Sequence, residues 1–176
     1  MNVVLFGYRG SGKSTLGAAL AAELRKSFAD VDQEVCRRFG GLGIAEVWQR
    51  FGEPRFRAVE AEVAAELMAR PGTVIALGGG TLMQSAVRAA LAAAPGTVRI
   101  YLACQPEELY RRIHGDRATA AQRPSLTALG GGLDEVRAVL AQRDPVYRAA
   151  ADHVLDVTEL SPAQALAALL TLCPEA

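Results

Sequence analysis

The chain has 176 residues, 51% of them apolar, with 19 basic and 19 acidic side chains and a formal net charge of zero. That length and composition suit one compact domain, 1–176, with a sizeable core, and the charge balance argues against an electrostatic grip on nucleic acid or on an anionic membrane. Cys36, Cys104 and Cys173 are far apart and form no C-x-x-C pair, so they read as reduced thiols rather than a disulfide or zinc framework.

The chain opens on Val3-Val4-Leu5-Phe6, a short apolar run of the kind that forms a strand buried on both faces. It is too short for a signal peptide, and no later stretch approaches the roughly 18–20 apolar residues of a membrane span, so the expected setting is the cytoplasm. A helix is expected from Lys13 to about Arg25, and a second strand at Phe28 to Val31. Helical stretches follow at Gln33 to Phe39, Ile44 to Phe51 and Pro54 to Met68, the last with proline in its first turn. Thr73 to Leu77 is a third strand, stopped by Gly78-Gly79-Gly80, and Ser85 to Ala93 a helix. Val98 to Leu102 is a fourth strand, and Pro106 to Ile113 begins another helix. His114 to Gly132 has no clean periodicity and is expected to be mobile. Asp134 to Ala149 is helical with a break or change of direction expected near Pro145, Val154 to Val157 is the fifth strand, and Pro162 to Leu172 the closing helix. Strict alternation of strands and helices specifies a five-stranded parallel sheet covered on both faces, with right-handed crossovers.

Gly7 to Ser14 matches G-x-x-x-x-G-K-[ST], and the match sits where its mechanism requires, between a buried strand and a helix. Glycines let backbone N–H groups approach phosphate oxygens, and the helix start adds a positive dipole end. Lys13 brings a point charge to the β- and γ-phosphates, and the Ser14 hydroxyl is a Mg²⁺ ligand by motif. The segment 7–15 is therefore expected to bind a nucleoside triphosphate.

Other residues gather around this loop in the reading. Asp30-Val31-Asp32 closes the second strand at the same sheet edge, and residues two apart in a strand face one side, so both carboxylates are expected to face the transferable phosphate and its metal. Asp32 is equally a candidate helix N-cap. Arg57 and Glu60, three apart on a helix, read by default as a surface ion pair. Three glycines at a strand's carboxyl end imply close backbone approach to a ligand, since a plain turn needs one or two. Trp48 and Phe56 read by default as core residues. His114 and His153 have no partners at metal-ligand spacing. Most of Arg111, Arg112, Arg117, Arg123, Arg143 and Arg148 are expected to be solvated, Arg111, Arg117 and Arg148 above all, although a mobile arginine-bearing lid would neutralise phosphate charge and exclude water.

Taken in order, these residues resemble the shikimate kinase family over nearly the whole chain. The resemblance is carried by Gly10-Ser11-Gly12-Lys13-Ser14-Thr15, Asp30-x-Asp32, Phe56-Arg57 with Glu60, Gly78-Gly79-Gly80, Arg123-Pro124, Arg143-Asp144-Pro145-x-Tyr147, and Leu155-Asp156-Val157-Thr158 followed by Pro162. It implies a three-layer α/β/α P-loop NTPase fold like that of the nucleoside monophosphate kinases, with a substrate-binding region at about 32–62 and a lid at about 113–126. It implies ATP-dependent phosphorylation of the 3-hydroxyl of shikimate, with Mg²⁺ as cofactor. By this resemblance Gly10, Ser11, Gly12, Lys13, Ser14, Thr15, Arg112, Arg123 and Glu159 bind ATP. Arg57 and Arg143 clamp the substrate carboxylate, a task suited to the planar guanidinium fork. Asp32 holds ring hydroxyls and accepts a proton, Gly78, Gly79 and Gly80 offer backbone, and Trp48 and Phe56 wall the pocket. Ser14, and Asp30 through water, hold the metal; Lys13, Asp32 and Arg123 are the catalytic set. The chain departs from the family in a longer stretch between Arg112 and Arg123, which leaves Arg117 as a rival lid arginine, in one added residue within 38–43, in Trp48 for phenylalanine, and in Glu159 for a longer polar or basic side chain. The partners implied are shikimate and ATP, with neither nucleic acid nor membrane, and the expected state is a monomer. Sibling kinases of gluconate or nucleoside monophosphates share the loop and lid, but are not expected to combine the acid pair, the triple glycine and the R-x-P-x-Y segment.

Overall fold

A computed structural model describes residues 1–115 and 131–173. Its five strands are β1 (Asn2–Phe6), β2 (Ser27–Asp30), β3 (Thr73–Ala76), β4 (Thr97–Ala103) and β5 (His153–Asp156), all parallel in the order β2-β3-β1-β4-β5. The helices are α1 (Lys13–Glu23), α2 (Val31–Arg38), α3 (Ile44–Phe51), α4 (Glu53–Met68), α5 (Ser85–Ala93), α6 (Pro106–Gly115), α7 (Leu133–Ala150) and α8 (Pro162–Leu172), with one 3₁₀ turn at Thr81–Met83. Among the described residues no helix is long and apolar enough to cross a membrane.

The alternation of β1 side chains divides the core into two layers. Val4 and Phe6 face one cluster with Val35, Val63, Leu67 and Tyr147, while Val3 and Leu5 face the other with Leu16, Leu20, Leu109 and Leu169. The four apolar side chains of β1 are fully buried, each contributing about 1.5–3 kcal/mol of apolar transfer. Helix α7 serves both layers, giving Tyr147 to the first and Val136 and Val139 to the second. With β1 central, the loops after β1, β3 and β5 and the direct junction of β2 with α2 meet at one carboxyl edge, where ligands bind in open parallel sheets.

Three expectations change. The second strand stops at Asp30, because Val31 already begins α2; Asp30 is its N-cap and accepts a hydrogen bond from the Gln33 N–H at 3.1 Å. Asp32 is therefore a first-turn residue rather than the cap or a strand neighbour of Asp30. Helix α7 also runs without interruption through Pro145. The Tyr101 hydroxyl donates to Asp144 at 2.8 Å and the Arg148 guanidinium to the same carboxylate at 2.7 Å, holding the helix where proline removes a backbone donor. Glu60, finally, is not a surface residue: its side chain is 1% exposed.

Candidate active site

The phosphate loop turns out of β1 through Gly7, Gly10 and Gly12, all at positive φ (146°, 84° and 93°), where a side chain would be strained. Helix α1 starts at Lys13 with no side-chain cap and no acidic residue in its first turn, so its N–H groups and dipole are open to an anion. The buried Lys13 ammonium donates to the Tyr8 carbonyl at 2.8 Å, across the mouth of the loop. The Ser11 hydroxyl is buried without a hydrogen-bond partner among the described residues. Such an oxygen is costly unless a ligand completes it.

Ser14 Oγ donates to Asp30 Oδ2 at 2.5 Å. Two hard oxygens thus meet beside the loop, a donor set that fits a small divalent cation sharing its remaining positions with water and phosphate. Among the described residues no group of three or more His, Cys, Asp or Glu side chains could hold a metal by itself. Asp30 and Asp32 line one cavity of about 250 Å³ with Lys13, Ser14, Gly79 and Arg112, but they serve different sides of it. Asp30 reaches Ser14, whereas Asp32 Oδ1 lies against Gly78, where even a Cβ atom would overlap it.

The Asp32 carboxyl is pushed up to about 7, first by burial, then by the neighbouring carboxylates of Glu60 and Asp30, with Lys13 and Arg57 opposing. Glu60 organises this side of the site. Its Oε1 accepts from Thr81 Oγ1 at 2.7 Å, and its Oε2 from Arg57 Nη1 and Gln84 Nε2, each at 2.8 Å. Arg57 also donates to Glu53, at 3.2 and 3.1 Å. Its guanidinium carbon lies 5.6 Å from the Trp48 ring centre and 5.4 Å from that of Phe56. The two rings meet edge to face. Phe56 is thus a core residue that supports Arg57 from below, and Trp48 packs on the same core from a partly buried position.

Arg143 approaches from α7. Its Nη1 donates to the Gly79 carbonyl at 2.9 Å, and the Tyr147 hydroxyl donates to the same oxygen. That carbonyl is therefore committed within the protein rather than offered to a ligand. A Cβ on Gly80 would lie 2.9 Å from both Arg57 Nη atoms, and one on Gly79 would lie 3.7 Å from Arg143 Nη1. The two guanidinia thus flank consecutive glycines at the end of β3.

A larger cleft of about 640 Å³ adjoins the other side of the phosphate loop, lined by Gly10, Ser11, Gly12, Thr15, Arg112, Thr158 and Glu159. Arg112 donates to Glu108 at 2.6 Å and to the carbonyls of Val157 and Thr158 at 2.8 and 3.3 Å, tying α6 to the loop after β5. Arg111 and Arg148 are exposed, as expected, and pair with Glu108 and Asp144. Arg117 and Arg123, with the expected lid beyond Gly115, lie outside the described residues.

Several residues of the site belong to no motif in the sequence: Thr81 and Gln84 around Glu60, Glu108 under Arg112, and Glu135, which forms a buried ion pair with Arg9. Glu135 carried one signal. It lies four residues before Val139 and next to Val136, on the stripe that α7 buries.

The sequence profile described as shikimate kinase matches residues 9–173. Curated shikimate kinases are similar along most of the chain. That of Rhodopirellula baltica is 39% identical over 173 residues, covering 98% of this chain and 90% of its own. That of Pseudomonas entomophila is 41% identical over 161 residues, covering 92% and 89%. Among solved structures, the shikimate kinase of Acinetobacter baumannii in complex with shikimate superposes with a TM-score of 0.87 at 30% identity, over 97% of this chain and 91% of that one.

Proposed function

The chain belongs to the shikimate kinase family, and from this we propose how its own residues transfer a phosphoryl group from ATP to the 3-hydroxyl of shikimate. The observation that carries the reading is the convergence of Arg57, Arg143 and Asp32 on Gly78-Gly79-Gly80 at the edge that holds Lys13. Two guanidinia suit a carboxylate, and a carboxyl beside them suits the hydroxyls of the same small molecule.

ATP lies with its phosphates on the loop 10–15 and its base in the cleft between Arg112 and Glu159. Lys13 offsets charge on the β- and γ-phosphates. Mg²⁺, which neutralises and orients the phosphate oxygens when bound, would be held by Ser14 and, through water, by Asp30. Shikimate is clamped by Arg57 and Arg143, with Trp48 and Phe56 fixing Arg57 from behind. Asp32 orients the attacking hydroxyl and takes its proton as the hydroxyl oxygen bonds to the γ-phosphorus and the bond from that phosphorus to the bridging oxygen breaks, releasing ADP. The transition state of such transfers is loose, so positioning and charge neutralisation outweigh base strength, and a carboxyl near neutrality is sufficient. Arg123, in the lid of about 113–126, is assigned to the transferring phosphate, with Arg117 as its rival. Zero net charge and unlinked cysteines support a cytoplasmic monomer that works on small molecules, with neither nucleic acid nor membrane as partner.

The test is ADP release measured in parallel with shikimate, gluconate, AMP and CMP as acceptors. Stimulation by shikimate alone is expected. Stimulation by gluconate or a nucleotide without shikimate would overturn the assignment.

A further inference from the structure

Position 9, in the variable part of the phosphate loop, carries an arginine whose partner is distant in sequence. Arg9 Nη2 lies 3.2 Å from Glu135 Oε1, with side-chain exposures of 16% and 0%. Glu135 stands in the first turn of α7, the helix that presents Arg143, about two turns later, and Tyr147, one turn further on, to Gly79. Between these two points lies the Tyr8 ring, 1% exposed. The guanidinium carbons of Arg9 and Arg143 each lie 5.9 Å from its centre. The Arg9 backbone nitrogen is also only 3.2 Å from where a Cβ on Gly79 would sit. The phosphate loop and the acceptor-side helix are therefore joined directly at two places, Arg9 to Glu135 and Tyr8 to Arg143, and both close on Gly79, the loop through the Arg9 backbone and the helix through Arg143 and Tyr147.

A fully buried carboxylate is a poor device for stability alone, because its desolvation cancels most of its attraction to a partner. What it supplies here is a fixed distance. Chemistry at the γ-phosphate requires the acceptor hydroxyl in line with the donor, and small misplacements cost large factors in rate. We infer that Glu135 is a positioning residue for phosphoryl transfer: through Arg9 it locks the phosphate loop to α7, and so sets the spacing between the donor phosphate and the clamp arginine Arg143. Neither residue needs to touch a substrate for this. The inference rests on shikimate as acceptor, and wild-type ADP release with shikimate checks that premise separately.

The test uses Glu135→Gln, Glu135→Asp and the double variant Arg9→Met/Glu135→Leu, with melting temperature, kcat and both KM values measured on each. Glu135→Gln is expected to lose about tenfold in kcat while both KM values stay within about threefold. Glu135→Asp, with its charge kept and its reach shortened, is expected to fall between this variant and wild type. The double variant removes both charges together, so it is expected to melt no lower than wild type and still remain about tenfold slow. If the double variant recovers turnover to within about twofold of wild type, the pair only compensates charge and the inference is wrong. A loss confined to the ATP KM would equally overturn it, since that would place the damage in nucleotide binding. Should Glu135→Gln fail to fold, the double variant and Glu135→Asp decide the matter: full kcat in either refutes positioning.

Discussion

Gly80→Ala adds one methyl group, yet it is expected to disable the substrate clamp. The backbone at Gly80 has φ −105° and ψ −7°, a conformation open to alanine, so the substitution brings no dihedral strain. The new Cβ would lie 2.9 Å from both Nη atoms of Arg57 and 3.2 Å from its Cζ. Ordinary contact requires roughly half an ångström more. A free guanidinium would simply swing aside. Arg57 is not free: Nη1 is bonded to Glu60 at 2.8 Å, and Nε and Nη2 to Glu53 at 3.2 and 3.1 Å. Glu60 is itself fixed by Thr81 and Gln84. Retreat must misalign the fork that pairs with the shikimate carboxylate. A hydrogen bond to a charged group contributes about 1.5–3 kcal/mol, so spoiling one raises the shikimate KM roughly 10- to 100-fold. The ATP KM should change little, because the loop 10–15 is untouched. Steady-state ADP release with each substrate varied in turn gives both constants. Trp48 is the sole tryptophan, and its ring lies 5.6 Å from the Arg57 guanidinium carbon, so its fluorescence reports shikimate binding independently. A shikimate KM within about twofold of wild type would refute the claim that Arg57 is held too firmly to yield.

Arg143→Ala is expected to raise the shikimate KM far more than the ATP KM; equal effects on both would show that the clamp is misassigned. Asp32→Asn is expected to abolish most turnover, and near-normal turnover would remove the proposed base. The same variant has a thermal signature in the enzyme free of metal and nucleotide. The folded carboxyl titrates near 7, above its ordinary 3.8, so the unfolded chain gives up this proton first. The group therefore disfavours folding progressively from about pH 4 to pH 7, and fully above that, by at most a few kcal/mol. Asp32→Asn should thus raise the melting temperature at pH 8 and leave it unchanged near pH 4; a gain of equal size at both pH values would contradict the origin given for the shift. Glu108→Gln should raise the ATP KM and spare the shikimate KM, because Glu108 holds Arg112 at the edge of the nucleotide cleft. An unchanged ATP KM would show that Arg112 needs no such support.

Local chemistry made most of the fold legible. The 3.6-residue and strand-type patterns located α3, α5 and α8 at their observed limits, and every strand within a residue or two. The error at Asp30-Val31-Asp32 arose because a strand that ends in its helix's own N-cap leaves no loop between the two elements to announce the boundary. The error at Pro145 has the opposite origin. Proline removes one backbone donor, but a tertiary bond from Tyr101 to Asp144 and the burial of Tyr147 against the sheet hold the helix through it, with Arg148 adding an i,i+4 pair to the same carboxylate. Motif spacing located the phosphate loop and the two acids. It could not reveal which charges are buried. Glu60 looks like an ordinary helix-surface acid in sequence, and Glu135 is set apart only by its place on an apolar stripe; packing against distant elements brings their side chains to 1% and 0% exposure.

The triple glycine adjoins the phosphate loop, the Asp32 carboxyl and the Arg57 guanidinium at once. A tight turn does not require it, since none of Gly78, Gly79 and Gly80 has positive φ. The requirement is steric, and it differs at each position. Gly78 makes room for Asp32 and Thr81, Gly79 for the Arg9 backbone nitrogen, with Arg143 at ordinary contact distance, and Gly80 for Arg57. Three consecutive residues at the end of β3 thus receive a side chain from α2, one from α7 and one from α4 in turn. The missing Cβ leaves room for the Asp32 carboxyl at Gly78, for phosphate-loop backbone at Gly79 and for the Arg57 guanidinium at Gly80. Alanine at the three positions should therefore give three distinct kinetic faults rather than one graded loss of stability. At Gly78 the fault should fall on turnover, because the new methyl group displaces the carboxyl that takes the proton. At Gly79 it should fall on the register between phosphate loop and α7, and at Gly80 on shikimate affinity alone.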